Sequence, residues 1–281
     1  MKVSILTPSF NQAQWLSDNL LSVRNQTYQN IEHIVMDGGS TDGSVDILEA
    51  TDGVVWRSEP DRGQSHALNK AFEMSSGDII GWLNSDDAYV DRRSVERVVE
   101  VFAKHPDVGV VYGDALLVSK SNQVMQYIWA PPHVQEFLNW NTFFVQPSVF
   151  IRRSVVQSPF VDEGLHFVMD KDLWWRLRDQ TEFRRVPLVI AIDRHQPQRK
   201  TLQQAYPAED RIHASTHGVD TVSRSFYLLS RSMKIGARII GVGYIPTLKH
   251  RIESAISLQF PPSLQMMRQQ LLTRRHRMDQ S

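Results

Sequence analysis

Two adjacent carboxylates close a short apolar segment of this chain: Gly81 to Leu83 run inward, and Asn84-Ser85-Asp86-Asp87 follow. Side by side, such groups repel one another and resist desolvation, so the pairing needs a reason. A turn is one reason, because Asn, Ser and Asp are common turn formers. A hard divalent cation is the other. Mg²⁺ or Mn²⁺ takes one or two protein carboxylates and fills its remaining positions with phosphate oxygens and water. A second acidic loop runs from Asp37 through Gly38, Gly39, Ser40, Thr41 and Asp42 to Gly43 and Ser44. Its glycines permit close backbone approach, and Asp37 is a carboxylate able to accept from a base or ribose. The same loop also reads as a left-handed turn in which Asp42 or Gly43 leads a helix.

Neither GxxxxGK[ST] nor GxGxxG is present after the first strand-like segment. Phosphates, if bound, must be neutralised by metal rather than by a glycine cradle.

The elements that would position these groups alternate. Val3–Pro8, His33–Gly38, VVWRSE and DIIGWL read as short buried strands. Between them, Trp15, Leu16, Leu20 and Val23 share one helical face, Val45, Ile47 and Leu48 mark a short helix, and Ala67, Leu68, Ala71 and Phe72 mark another. SVERVVEVFAKH is a further helix and VGVVYGDALLV a further strand; FVQPSVFIRR and FRRVPLVIAIDR read as strands and DKDLWWRLRD as a short helix. The pattern predicts an α/β fold with a mixed, mostly parallel sheet flanked by helices. Ligands of such sheets bind beyond the carboxyl ends of the strands. Four polar clusters stand there: Thr7-Pro8-Ser9, the Asp37 loop, Glu59-Pro60-Asp61, and Asn84 to Asp87.

The ordered set LTPSFNQAQWL, EHIVMDGGSTDGSVDIL, SEPDRGQSHALNKAF and SGDIIGWLNSDD resembles the family 2 glycosyltransferases with a GT-A nucleotide-diphospho-sugar fold, over roughly Val3 to Arg194. The resemblance implies a catalytic domain over 1–202 and inverting transfer of a sugar, with a UDP-sugar the expected donor, to a hydroxyl on a glycan or lipid-linked oligosaccharide. It implies that Thr7 and Pro8 line the base, that Asp37 contacts base or ribose, that Asp87 ligates Mg²⁺ or Mn²⁺ and that Asp86 meets the metal or the donor. Arg62 reaches base or phosphate on this reading, or else is a solvated loop charge. The family places its general base just before a helix, and Asp170 in VMDKDLWWRL stands on that position. Asp170 and Asp172 point about 200° apart on a helix, so only one can face the donor. Their local alternative is an N-cap and a first-turn charge. Gln146 and Trp174 or Trp175 are candidates for the acceptor pocket, with core packing the alternative for the tryptophans. His195 resembles a histidine of relatives in a segment that closes over the diphosphate, where Arg199 and Lys200 would neutralise phosphate.

At 281 residues, 41% hydrophobic and 22% charged, the chain has apolar mass for a substantial core. It has no cysteine, which excludes disulfides and thiolate metal sites. The N-terminus is too soon polar for a signal peptide, and no apolar run approaches the roughly 18 residues of a spanning helix. A cytoplasmic location is expected. The formal net charge is zero, yet residues 224–281 hold 10 basic and 2 acidic side chains against 21 and 29 in the rest. Residues 203–281 are expected to form a helical, basic extension. Its apolar residues interleave with charge, which suits peripheral contact with an anionic inner leaflet or a cap on the catalytic domain. Nucleic-acid binding is not expected, given the acidic body and the lack of a recognition motif. Two rival functions share parts of the pattern. A sugar-1-phosphate nucleotidyltransferase would need a Gly-rich basic loop after the first strand, and TPSFNQAQ has neither glycine nor basic group. A non-catalytic nucleotide- or glycan-binding module would bind donor without turnover.

Overall fold

A computed structural model of the chain describes residues 1–132, 138, 142, 144–196, 208–210 and 212–213. Arg199, Lys200 and the expected basic extension, apart from five residues between 208 and 213, lie outside the described residues.

Nine strands form one sheet among the described residues. They are β1 (Val3–Ser9), β2 (Ile31–Asp37), β3 (Val54–Ser58), β4 (Ile79–Trp82), β5 (Ala88–Tyr89), β6 (Val108–Ser119), β7 (Val124–Ile128), β8 (Val149–Arg152) and β9 (Glu182–His195). The spatial order is β3-β2-β1-β4-β8-β6-β9-β5, with β7 paired to β6. The half built from β3, β2, β1 and β4 is parallel. Strand β8 then enters antiparallel to both β4 and β6, while β6 and β9 run parallel over a long register. The sheet is therefore mixed, as expected. The two short strands β5 and β7 were not expected, and residues 146–148 form a single 3₁₀ turn where a strand was read. Pro147 explains that turn, because it fixes φ and removes a ladder donor.

Among the described residues, the α-helices with defined bounds that pack on the sheet are α1 (Ala13–Arg24), α2 (Ser44–Glu49), α3 (Gln64–Met74), α4 (Ser94–Lys104) and α5 (Met169–Leu177). Every residue of β1 is buried, as a central parallel strand requires when helices cover both faces. Alternation then divides the core. Leu6, Ile34, Met36, Ile80 and Trp82 face α3 and α5 and meet Leu68, Phe72, Leu173 and Trp174. Val3, Ile5, Ile79 and Leu83 meet Val95, Val98 and Phe102 of α4. At Gly81 the packing is tight enough that an added Cβ would lie 2.8 Å from both the Ile5 Cδ1 and the Tyr89 hydroxyl. Gly81 thus lets the strand carrying the acidic pair lie close to its neighbours.

Candidate active site

The parallel register aligns the carboxyl ends of the first three strands: Ser9 stands beside Asp37, and Asp37 beside Ser58. Thr7 is buried with its hydroxyl 2.9 Å from His33 Nε2, and Pro8 is buried next to it. Burial without a counter-charge pushes the His33 imidazole down to about 3, so it is neutral around pH 7. Asp37 is also buried, and its carboxylate serves its own loop. Oδ2 accepts from the N–H of Gly39 (3.1 Å) and Ser40 (2.8 Å) and from Ser58 Oγ (2.7 Å), while Oδ1 accepts from Ser40 Oγ (2.5 Å). Gly39, at φ 85°, supplies the left-handed turn this demands. Further along, Asp42 accepts from Ala13 N–H, the first residue of α1, and from Ser44, while Gly43 starts α2 in the left-handed region.

What remains open on this rim is different. Phe10 is 58% exposed. A Cβ on Gly38 would fall 3.2 Å from the Phe10 ring and 2.9 Å from Asp61 Oδ2. An aromatic face and a carboxylate therefore flank Gly38 at the end of β2.

The acidic pair is held from three sides. Asn19 of α1 donates to the carbonyls of Asn84 (2.8 Å) and Asp87 (3.1 Å), and Ser22 Oγ accepts from Tyr89 N–H at 3.1 Å. Asp18 joins these residues in a polar stripe at helical spacing, and Trp15, expected on the apolar face, falls on this stripe instead, with the Arg194 guanidinium over its ring. From β4 and α3, Trp82 Nε1 and Gln64 Nε2 both donate to Asn84 Oδ1, and Asn84 Nδ2 donates to Gln146 Oε1 (3.0 Å) and, at 3.3 Å, to Asp87 Oδ2. From β9, the N–H of Arg194 donates to Asp87 Oδ1 at 2.9 Å and its Nε to the Asp86 carbonyl at 2.6 Å. The Arg194 guanidinium is fully buried and also reaches Asn122 and, at 3.4 Å, Asp18. Gln196 Nε2 donates to Asp86 Oδ2 at 2.5 Å.

Burial pushes the Asp86 carboxyl above the usual carboxylate range, against the hydrogen bond from Gln196, and nearby Asp193 adds to the rise. Asp86 and Asp87 thus stand against the buried Arg194 guanidinium, with Asp193 nearby. The donor set fits a hard cation completed by phosphate oxygens, which needs only one or two protein carboxylates. Among the described residues no three His, Cys, Asp or Glu side chains converge on one metal position.

Asp170 lies in the first turn of α5, half-buried, its Oδ1 accepting from Lys171 N–H at 2.7 Å. Val168 is the N-cap of the helix, so Asp170 is not the N-cap that its local reading allowed. Asp172 is buried and committed: burial alone would raise its carboxyl, but hydrogen bonds from His213 and Arg176 outweigh this and hold it below the usual range. Of the two, Asp170 is the more exposed. The start of α3 links it to the acidic pair. Gln64 holds Asn84, and its neighbour Ser65 donates to the Leu165 carbonyl (2.8 Å) and touches Met169 Sδ (3.0 Å).

Arg62 is exposed and paired with Glu163 at 2.5 Å, tying the loop after β3 to the loop before α5. Gln146 is buried and joins Asn84 to the Trp82 carbonyl, a support beneath the acidic pair. Trp174 lies in the core, 1% exposed and edge-on to Phe144, so an acceptor-stacking role does not fit its position. Trp175 is half-buried beneath the Arg178 guanidinium. His195 ends β9 next to Arg194, half-buried. Sequence reasoning missed Arg194, Asn19 and Gln196; a charged residue closing the apolar run VIAID was the available signal for the first.

A family model described as glycosyl transferase family 2 matches residues 4–158, more than half of the chain. The chain belongs to glycosyl transferase family 2. That membership makes it an enzyme of the transferase class. Among its relatives is alr2836 of Nostoc sp., an uncharacterized glycosyltransferase, 30% identical over 143 residues that cover 49% of this chain and 44% of the relative. The chain spans about half the length of the curated relatives it matches. Two solved structures share the GT-A architecture. S. aureus TarS 1-349 in complex with UDP-GlcNAc superposes with a TM-score of 0.61 at 15% identity, covering 78% of this chain and 67% of TarS. The mannosyltransferase PcManGT of Pyrobaculum calidifontis, in complex with GDP-Man and Mn²⁺, gives 0.56 at 16% identity, covering 96% and 84%. At these identities the likeness establishes the fold of this family 2 glycosyltransferase.

Proposed function

We propose that this glycosyltransferase moves a sugar, with inversion, from a nucleoside-diphosphate donor to a hydroxyl on a glycan or lipid-linked acceptor. The observation that carries the reading is the acidic pair at the carboxyl rim, networked through Asn84, Gln64 and Ser65 to the helix bearing Asp170. The nucleoside belongs at the Gly38 end, where Phe10 offers a face for stacking and Asp61 a carboxylate that accepts from a base or ribose. Asp37 shapes that loop from within, and a UDP-sugar is the donor proposed. Asp87, with Asp86 beside it, would hold Mg²⁺ or Mn²⁺, which when bound supplies positive charge against the departing diphosphate. Asp170 takes the proton of the attacking hydroxyl as that oxygen bonds to the anomeric carbon. The bond from that carbon to the diphosphate oxygen breaks in the same displacement, and the nucleoside diphosphate leaves with the electron pair. The apolar and basic residues interleaved over 224–281 support an acceptor at an anionic membrane surface.

Paired variants test this. Asp170→Asn is expected to lower turnover by about 10²- to 10⁴-fold while nucleotide binding with Mn²⁺ survives. Asp87→Asn is expected to remove the metal dependence of that binding. Turnover by Asp170→Asn at the parent rate would reject the base assignment.

A further inference from the structure

We infer that residues 208–210 and 212–213 clasp the start of α5, and that Glu209 is a positioning residue for Asp170. The inference rests on the reading of Asp170 as the general base. Three consecutive backbone N–H groups converge on the Glu209 carboxylate. His166 donates to Oε1 at 3.0 Å and to Oε2 at 3.2 Å, Phe167 to Oε1 at 2.7 Å, and Val168 to Oε1 at 3.0 Å. Val168 is the residue from which α5 departs, and its own side chain gives the helix no cap. The segment leading into the helix is instead anchored from 41 residues downstream.

Two further contacts follow in order. Lys171 Nζ is paired with Asp210. His213 Nε2 lies 3.3 Å from Asp172 Oδ1, both side chains largely buried, while Asp172 Oδ2 accepts from Arg176 Nε at 2.8 Å. Residues 166–168, 171 and 172 are thus matched by 209, 210 and 213 in one direction along both segments. Asp170 sits inside that ladder.

The placement has a physical consequence. A helix start carries unsatisfied N–H groups and positive potential, which draw a nearby carboxylate toward the backbone. Asp170 already accepts from the Lys171 N–H. A second anion at the same helix end satisfies the preceding amides and competes for that pull, and the Lys171–Asp210 ion pair and the Asp172–His213 contact fix the rotation of the first turn. A base must stand within hydrogen-bond reach of the hydroxyl it deprotonates, and a shift of about 1 Å costs up to about 10²-fold in rate. Glu209 acts through the turn and not on the substrate.

The test uses the full chain with Glu209→Ala, Glu209→Gln and, as reference, Asp170→Asn. Hydrogen exchange reads the amides of residues 166–168, and nucleotide release from UDP-GlcNAc and from GDP-mannose reads turnover, with water as acceptor. For Glu209→Ala the expected result is exchange at 166–168 at least about tenfold faster and kcat about 10- to 100-fold lower, with donor KM unchanged. Glu209→Gln should recover part of both, because its amide oxygen still accepts. Equal exchange in parent and Glu209→Ala, or kcat within about twofold, would overturn the clasp, as would a donor KM that rises in step with the loss of kcat. If Asp170→Asn loses turnover while Glu209→Ala keeps it, the clasp fails alone. Parental turnover by Asp170→Asn removes the base reading and the positioning role with it. Should the parent release nucleotide from neither donor, that counts against the proposed function, and amide exchange decides the clasp.

Discussion

His33 shows how a single side chain beneath the rim links the site to stability. It is buried against Thr7, and its imidazole stays neutral down to about pH 3 against an ordinary value of 6.5. Below pH 6.5 the unfolded chain binds a proton that the native state refuses. Its contribution to stability is therefore complete above that pH and is lost as pH falls toward 3, by about 1.4 kcal/mol per unit. Urea unfolding at pH 7 and pH 5 should show a difference that shrinks by about 2 kcal/mol in His33→Gln. An unchanged difference would mean that the imidazole is charged in the folded protein. Such roles are invisible in a one-dimensional reading, because burial is a property of the packed sheet. The same holds for Asp37, whose loop contacts and glycine turn were legible while the commitment of its carboxylate to Ser40 and Ser58 was not. Arg194 was hidden for another reason: its four partners come from three remote segments.

At the scale of elements, strand β4 delivers the acidic pair only because its neighbours close over Gly81. A methyl group there would meet Ile5, Tyr89 and Phe150 at under 3 Å. Overpacking of this kind costs about 1–3 kcal/mol. Gly81→Ala should lower Tm by several degrees and weaken nucleotide binding, measured by calorimetry and titration; a parental Tm would show that the strands can part at no cost. The parallel half of the sheet was legible because four apolar runs ended in polar clusters at regular spacing. The entry of β8 antiparallel between β4 and β6, and the two-residue β5, were not, since pairing partners and very short strands leave no periodic signal. Helix α5 was anticipated, but the anchoring of its leading segment by Glu209 depends on a contact across 41 residues that no local pattern encodes.

For the whole molecule, α1, the end of β9 and the 3₁₀ turn at Gln146 all converge on the loop Asn84 to Asp87. They hold buried carboxylates that a divalent ion and a diphosphate would complete. A thermal-shift panel of UDP, GDP, CDP and ADP, each with and without Mn²⁺, tests that most directly. At about 100 times its Kd, a matched nucleotide with Mn²⁺ should add roughly 2.7 kcal/mol of stability, and clearly less without the metal. A panel in which no nucleotide stabilises the protein more with Mn²⁺ than without it would contradict the donor site.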